Sequence, residues 1–522
     1  MIIKLKKKNI VFRNPSITAL DAKTINLDHV LSNLFQLIAA NGATIKLGKI
    51  KGKHTVESLK GYMVALEQQG LISGVSENMG AVEDWLRANL VSMVSRGNVV
   101  KEKVTSLRPM HLMSYRIQNR GVNRDYNASD QIYTMLRDSP EVLKGLYTFM
   151  SKGWDKDTNR IIENSQLDVD TVGILLLSKN ITEKKTAKNE IDDTKPLLKQ
   201  QTEIFNDDVR RLLVYQDLLP RTVFIEYLRI LIGFHLSLYE MKLISLLPKM
   251  REQGTTNIED DWSLVIDMTE NLDSGVSAYA VADMERLTNM LNRYFKVTFE
   301  INVIQNRLKN KNVDSSVEAC LHFLKYELDK SDSWYERDID DIINEAGKDE
   351  DTVAAIREML QFFDEDDYFG KYIHLLENTS GGSNYQYKFH QRMLDSLTMK
   401  NTDSMLTASG VRSRRHPRRG AMGSKLLETI VQLLVLKEDG KGGYISNSLS
   451  IEELAKKIRQ RYGLIINGIE EPRFANADVQ AHAAFKENMD AFRNKLRQIG
   501  FYSDLSDACI LQKIRPRYKI DD

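Results

Sequence analysis

The apolar stretch that follows Pro220 constrains the fold of this chain more than any other feature. Apolar residues recur from Val223 to Leu247 and occupy nearly every face of the predicted helix. A helix that is apolar all round is either buried in a large protein or inserted in a membrane. A few strongly polar residues interrupt the stretch, among them Arg229, His235, Glu240 and Lys242. These interruptions argue against a membrane span, so we expect the buried helix of a large bundle.

The low proline content also favours long helices. Only nine prolines occur in 522 residues, and proline is disfavoured in helix interiors. The chain exceeds the usual length of one domain. We therefore predict a mainly α-helical protein with several domains.

The cysteine content indicates the compartment. Cys320 and Cys509 are too few for a disulfide framework or a cysteine-ligated metal site, and they suit a reducing compartment. The basic residues after Met1 are not followed by the apolar region of a signal peptide. We expect a cytoplasmic protein without membrane contact.

Turn and capping residues divide the chain into four predicted parts. Residues 1–80 alternate helical and strand patterns and form a small α+β module, which is either helix-turn-helix-like or a plain cap. Residues 81–398 form a helical body, and residues 399–422 form a basic linker. Residues 423–522 contain three helical patterns and then a β-hairpin pattern, the order of a winged-helix domain. Ser450 and Glu453 in this last part have the spacing of a capping box.

A run of arginines in the predicted linker is the strongest functional signal. The segment Arg412–Gly420 contains five arginines and no acidic residue, whereas the whole chain has a formal net charge of +1. Residues 401–522 carry a net charge of +6 and the rest of the chain −5. Arginine binds phosphate oxygens through paired N–H groups, so we expect the C-terminal part of the chain to face a polyanion.

The candidate nucleic-acid contacts fall into three groups. The linker group comprises Arg412, Arg414, Arg415, Arg418, Arg419 and Lys425. The third helix of the winged-helix-like part contributes Lys486, Arg493, Lys495 and Arg497. The expected wing contributes Lys513, Arg515 and Arg517. The linker and the wing suit phosphates, and the helix suits base edges in a major groove. The competing interpretation is that the linker docks on a protein partner or on the chain's own acidic patches.

No catalytic motif accompanies these cations. The chain contains no P-loop, no Gly-x-Ser-x-Gly and no His-Glu-x-x-His motif, and its nine histidines are scattered. Two acidic runs offer carboxylates for a divalent metal: Asp338, Asp340 and Asp341, and Asp364, Asp366 and Asp367. Their helical, hydrophilic surroundings favour solvated faces. We predict no cofactor, no catalytic residue and no metal ligand, and a divergent metal-dependent nuclease stays open as an alternative.

Four segments resemble a known group of proteins. They are Asp208–Arg221, Glu226–Tyr239, Leu427–Val435 and Arg461–Leu464. Together they resemble proteins encoded in bacterial multi-gene anti-phage defence islands, such as methylation-associated defence systems. The resemblance implies a subunit that works beside an ATPase, a methyltransferase or a nuclease. The matching motifs are packing patterns, so the resemblance assigns no catalytic residue.

The favoured hypothesis is a non-enzymatic accessory or scaffold subunit of a bacterial anti-phage complex. Its helical body docks partner proteins, and its basic C-terminal module contacts DNA. The alternatives are the metal-dependent nuclease and a protein-docking scaffold without nucleic-acid contact.

Overall fold

The computed structural model describes most of the chain. The described residues are 12–43, 45–47, 53–94, 102–162, 165–179, 181, 183–184, 194–347, 350–379, 381–399, 401–409, 417–475, 478–502 and 513–521.

The protein is mainly α-helical, which confirms the predicted fold class. The helices in the described residues are α1 (Leu27–Ala39), α2 (Val56–Gln68), α3 (Met79–Trp85), α4 (Ala128–Arg137), α5 (Pro140–Ser151), α6 (Val169–Lys179), α7 (Lys199–Val214), α8 (Arg221–Gln253), α9 (Gly275–Asn310), α10 (Val317–Tyr326), α11 (Ser333–Ala346), α12 (Glu350–Leu360), α13 (Tyr368–Glu377), α14 (Ser383–Thr398), α15 (Ser424–Leu434), α16 (Ile451–Tyr462) and α17 (Val479–Gln498).

The strands are short and pair two by two. They are β1 (Lys46–Leu47), β2 (Val91–Val94), β3 (Lys103–Leu107), β4 (Trp154–Asp155), β5 (Arg160–Ile161), β6 (Glu183–Lys184), β7 (Leu264–Val265), β8 (Thr407–Ala408), β9 (Arg419–Gly420), β10 (Leu436–Glu438), β11 (Tyr444–Ser446) and β12 (Leu464–Ile465). The antiparallel pairs are β1–β6, β2–β3, β4–β5, β8–β9 and β10–β11, and β7–β12 is parallel.

The chain folds into two compact units, each assembled from separate stretches. The large unit comprises Met1–Thr24, Phe234–Val435 and Asn447–Arg517. The small unit comprises Ile25–Gly233, Leu436–Ser446 and Tyr518–Asp522. The predicted boundaries at residues 80, 398 and 422 are not boundaries between these units, and the four-part division stays a prediction.

Helix α8 begins directly after Pro220, as the apolar pattern predicts. By length and composition it could cross a membrane, but 94% of its most apolar 18-residue window is buried inside the protein. It is therefore a core helix. Two of its polar residues have partners in the large unit: Glu240 accepts a hydrogen bond from Oγ1 of Thr18 at 2.7 Å, and Lys242 donates to Asp260 at 2.6 Å. Burial raises the pKa of Glu240 to about 7.

The small unit builds its first core around the β2–β3 hairpin. Leu59 and Leu66 of α2 pack with Leu86 and Leu90 and with Val104 of β3. Leu86 and Leu90 are the first and last residues of a π-helical turn that follows α3. Thr55 and Ser58 form a capping box that starts α2. The packed faces explain why short helices and a two-stranded hairpin hold together, since neither is stable alone.

The large unit is organised around α9, which contacts β7, β9, α10, α13, α14 and α17. Strand β7 pairs with β12, and Asp267 forms a bridge to Ala421 just beyond β9. The predicted capping box of α16 is confirmed: Ser450 and Glu453 exchange side-chain to backbone hydrogen bonds.

Candidate nucleic-acid interface

The predicted basic linker, residues 399–422, contains a small antiparallel hairpin. Thr407 of β8 pairs with Gly420 of β9, and Ala408 pairs with Arg419. A Cβ atom on Gly420 would overlap the carbonyl oxygen of Val265, so glycine is required where β9 approaches β7. The two strands therefore hold the two ends of the intervening segment, residues 409–418, side by side. Arg412, Arg414 and Arg415 lie in this segment, outside the described residues.

The last two arginines of the run bind carboxylates of the same unit. Arg418 donates to both oxygens of Asp395, from Nε at 3.0 Å and from Nη2 at 2.6 Å. Nε of Arg419 donates to Oδ2 of Asp267 at 2.8 Å, and the two side chains are 7% and 0% exposed. A buried carboxylate needs such a partner, because an uncompensated charge is costly inside a protein. Arg419 is thus part of the hairpin's support.

The remaining member of the linker group lies at the start of α15. Nζ of Lys425 forms a 2.9 Å ion pair with Asp403, and its side chain is more than half exposed. Exposed pairs of this kind contribute little to stability. The lysine therefore remains accessible to another anion.

The four cations of α17 have different surroundings. Lys495 is 7% exposed, and its Nζ donates to the carbonyl of Met422 at 2.8 Å and to Glu270 at 2.7 Å. Arg493 pairs with Asp490, one turn earlier, and Arg497 donates to Oδ1 of Asn494 at 3.2 Å. Lys486 is exposed and forms no ion pair within the described residues. The outer face of α17 therefore offers Lys486, Arg493 and Arg497, whereas Lys495 belongs to the interior.

The segment after α17 pairs with two earlier parts of the chain. The backbone N–H of Ile514 donates to Leu449 at 2.7 Å, and that of Arg515 donates to Phe501 at 2.9 Å. The side chain of Arg517 binds Glu428, donates to the carbonyl of Ile499 at 2.8 Å and lies over the Phe501 ring.

The other two wing cations have no such partners. Lys513 and Arg515 are exposed and, in the part of the chain that the structure describes, form no ion pair. The side chains of the wing group are therefore split between a fold-supporting Arg517 and two accessible cations.

A buried asparagine that the sequence did not single out holds α17 in place. Asn488 is fully buried, and its Oδ1 accepts a hydrogen bond from the N–H of Met268 at 2.8 Å. Its Nδ2 donates to the carbonyls of Ile266 and Ile466 at 2.9 and 2.8 Å. One side chain thereby ties the outer ends of β7 and β12 to the helix. Asn488 is one of many polar residues on this amphipathic helix, so the sequence gave no signal of its role.

The acidic runs lie on and beside helices. Asp338, Asp340 and Asp341 belong to α11, and Asp367 caps the start of α13 by accepting from the N–H of Gly370 at 2.7 Å. Asp338 also accepts a hydrogen bond from Tyr372, whose pKa is raised mainly by burial. Within the described residues, no three His, Cys, Asp or Glu side chains form a group that could hold a metal ion.

Comparison with known proteins identifies the family. The family model of the methylation-associated defense system protein MAD7 matches residues 7–518. The chain belongs to this family. Membership makes the protein a component of a multi-protein defense system and confirms the resemblance seen in α7, α8, α15 and α16. No curated protein matches the chain.

Proposed function

We propose that the protein is a non-enzymatic, cytoplasmic accessory subunit of its defense system that binds nucleic acid through the C-terminal part of the large unit. In this proposal the helical body docks partner subunits, such as an ATPase, a methyltransferase or a nuclease. Three features of the chain support the nucleic-acid contact: the arginine segment, the element order after residue 423, and the accessible cations on α17 and on residues 513–515.

The backbone hydrogen bonds of Ile514 and Arg515 are the observation that best supports the proposal. A winged-helix domain consists of three helices with a strand before the second and a hairpin after the third. Helices α15, α16 and α17 occur in that order, Leu449 precedes α16, and Phe501 and Arg515 are hydrogen-bonded after α17. Ile514 forms an antiparallel bridge to Leu449. These contacts support the expected connectivity of a winged-helix sheet.

One departure from that layout limits how α17 would be used. Residues 463–478 separate α16 from α17, and they include β12, which pairs with β7. A helix-turn-helix unit normally joins its two helices by three or four residues. We therefore assign the phosphate contacts to the arginine segment and residues 513–515. Lys486 and Arg497 have a lesser role in this proposal, in contacts with a groove or with the backbone.

The arginine segment is best suited to phosphate contact at its first three arginines. Arg418 and Arg419 are held by Asp395 and Asp267, so replacing them would disturb the hairpin. Arg412, Arg414 and Arg415 can be replaced without removing those two ion pairs. A variant confined to these three arginines separates binding from folding.

The test compares two triple variants of equal charge. The first replaces Arg412, Arg414 and Arg415 with glutamate. The control replaces exposed cations elsewhere: Lys144→Glu, Lys156→Glu and Lys309→Glu. Fluorescence anisotropy with a labelled DNA duplex should show a large loss of affinity for the first variant and a small one for the control. Equal losses would contradict the proposal and leave only non-specific charge attraction.

The protein-docking scaffold is favoured by one observation, the internal pairing of several candidate cations, Arg493 and Arg517 among them. The scaffold alternative predicts that the wild-type protein does not bind DNA or heparin at physiological salt.

Incubation with Mg²⁺ or Mn²⁺ and assorted nucleic acids tests the nuclease alternative. Cleavage that is abolished by replacing Asp364, Asp366 and Asp367 together would replace our proposal with that one.

A further inference from the structure

The small unit contains a second candidate site, distant in sequence from the arginine segment. Its first elements follow the order α1, β1, α2, α3 and the β2–β3 hairpin. This is also the element order of a winged helix, although β1 pairs with β6 and not with the hairpin. The helix-turn-helix-like module predicted for residues 1–80 stays a prediction, because residues 1–24 belong to the large unit and this element order runs from Leu27 to Leu107.

A cavity of about 890 Å³ lies between the start of α2 and the hairpin. This volume is within the range of small-molecule and cofactor sites. Lys53, His54 and Thr55 line it from the start of α2, Lys103 from β3, and Asn119 and Arg120 from the segment after the hairpin.

His54 provides a polar group that nothing in the described structure satisfies. Its side chain lines the cavity and is only 7% exposed, and its Nδ1 has no hydrogen-bond partner within the described residues. Asn119 fixes the backbone beside it: Oδ1 accepts from the N–H of His54 at 3.0 Å, and Nδ2 donates to its carbonyl at 2.8 Å. Burial lowers the pKa of His54, so the ring is neutral at pH 7. A buried polar atom without a partner is costly. Nδ1 is enclosed by protein, so a ligand pairs with it only when the ring turns towards the cavity.

The start of α2 adds donors to the same place. Helix α2 is 13 residues long, and Thr55 satisfies the N–H of Ser58 through its capping box. The N–H groups of Val56 and Glu57 precede the first intrahelical hydrogen bond, and the helix dipole favours an anion there. Helix N-termini bind phosphate groups in many proteins for this reason.

The charges around the cavity leave the lysines accessible. The lining carboxylate of Glu83 binds Lys60 at 3.0 Å and Arg87 at 2.9 Å, and these hydrogen bonds lower its pKa. Arg87 also binds Glu102 at 2.6 Å. In contrast, Lys53 and Lys103 are exposed and form no ion pair with a carboxylate in the described part of the chain. The lining carboxylate of Glu57 is paired with Lys60 at 3.1 Å. The lining contains four cationic side chains and three carboxylates, so its net charge is positive.

We propose that this cavity binds a phosphate group of a nucleic-acid backbone, with Lys53 and Lys103 neutralising its charge and His54 and the first amides of α2 donating hydrogen bonds. A free nucleotide carries the same chemistry. The order of helices and hairpin favours the backbone, because helix N-termini are among the groups that contact phosphate oxygens in protein–DNA complexes. The site is independent of the C-terminal interface proposed above.

The test uses the full chain in three forms. Lys53→Glu with Lys103→Glu removes the charge, and Lys144→Glu with Lys156→Glu is the control of equal charge change. His54→Leu removes the unsatisfied nitrogen, and since that nitrogen has no internal partner, we expect this variant to melt at or above the wild-type temperature. Fluorescence anisotropy with labelled DNA is measured from 50 to 200 mM salt.

The expected results follow from the number of contacts. The Lys53/Lys103 variant should reduce the salt slope by about 2 and weaken binding about tenfold at the upper salt concentration. The His54→Leu variant should weaken binding about tenfold with an unchanged slope. Unchanged affinity and slope in all folded variants would overturn the site. Displacement of DNA by micromolar nucleoside triphosphate would overturn the backbone assignment in favour of a nucleotide pocket.

The two proposals fail separately in this design. Loss of binding in the Lys53/Lys103 variant, with no effect of the Arg412/Arg414/Arg415 variant, would retain this site and remove the C-terminal one. The reverse pattern would remove this site alone.

Discussion

Replacing Arg419 with methionine tests the division of the arginine run into supporting and binding members. The change keeps an unbranched side chain but leaves the carboxylate of Asp267, which is 0% exposed, without its cation. Removing one partner of a buried ion pair costs about 3–5 kcal/mol. Thr269 still donates to Oδ1 of Asp267 from its N–H and its hydroxyl, at 2.9 and 2.6 Å. We therefore expect the lower value, about 3 kcal/mol, which corresponds to about 100-fold in an equilibrium constant.

Hydrogen exchange measures this cost where it arises. The chain has two compact units, so a single global unfolding transition is not assured. The amides of Ile266 and Asp267 donate to Ile465 and Gly420, at 2.8 and 2.9 Å, and report opening of β7 from β12 and β9. In Arg419→Met these amides should exchange about 100-fold faster than in the wild type.

The neighbouring arginine supplies the matched control. Arg418 and Asp395 are each about one-third exposed, so solvent screens their pair, and Arg418→Met should cost less than about 1 kcal/mol. Its exchange rates at the same amides should rise by less than about fivefold. If Arg419→Met accelerated exchange no more than Arg418→Met does, the assignment of Arg419 to the support of the hairpin would be wrong.

Three further predictions concern the large unit. Burial raises the pKa of Glu240 to about 7, so the folded state keeps a proton that the unfolded state releases above pH 4.5. The free energy of unfolding therefore falls as pH rises from 4.5 through 7. Denaturant titrations at pH 5 and pH 8 should show a fall of up to about 3 kcal/mol in the wild type and none in Glu240→Gln. Burial lowers the pKa of His390 to about 4, so the free energy of unfolding falls as pH drops from 6.5 towards 4. His390→Gln should reduce this fall in denaturant titrations over that pH range, and an unchanged fall would exclude His390 as its cause. Asn488→Ala leaves three buried backbone groups without a partner and should cost about 3 kcal/mol or more, whereas the exposed Asn494→Ala should cost less than about 0.5 kcal/mol in thermal unfolding.

Much of the fold could be predicted from the sequence because its signals are local. The all-round apolar pattern after Pro220 predicts α8 as a buried helix, and the spacing of Ser450 and Glu453 predicts the start of α16. Both depend on residues within a few turns of each other. The two compact units could not be predicted, since each combines stretches that are hundreds of residues apart in sequence.

For the candidate site, too, the local features could be predicted from the sequence and the long-range contacts could not. The arginine run and the basic third helix are visible as composition, but their partners are not. Asp267 is 152 residues from Arg419, and Glu270 is 225 residues from Lys495, so their pairing follows only from tertiary packing. Asn488 and His54 were missed for a related reason: a polar residue inside an ordinary pattern becomes informative only when its burial is known.

The salt dependence of DNA affinity tests the central claim most directly. The logarithm of the association constant for a duplex is measured against the logarithm of salt concentration, for the wild type and for the variant in which Arg412, Arg414 and Arg415 are glutamates. Each lost phosphate contact should reduce the slope by about 0.9, so we predict a slope that is shallower by about 3 and a weaker affinity. An unchanged slope in the folded variant would contradict nucleic-acid binding through the arginine segment.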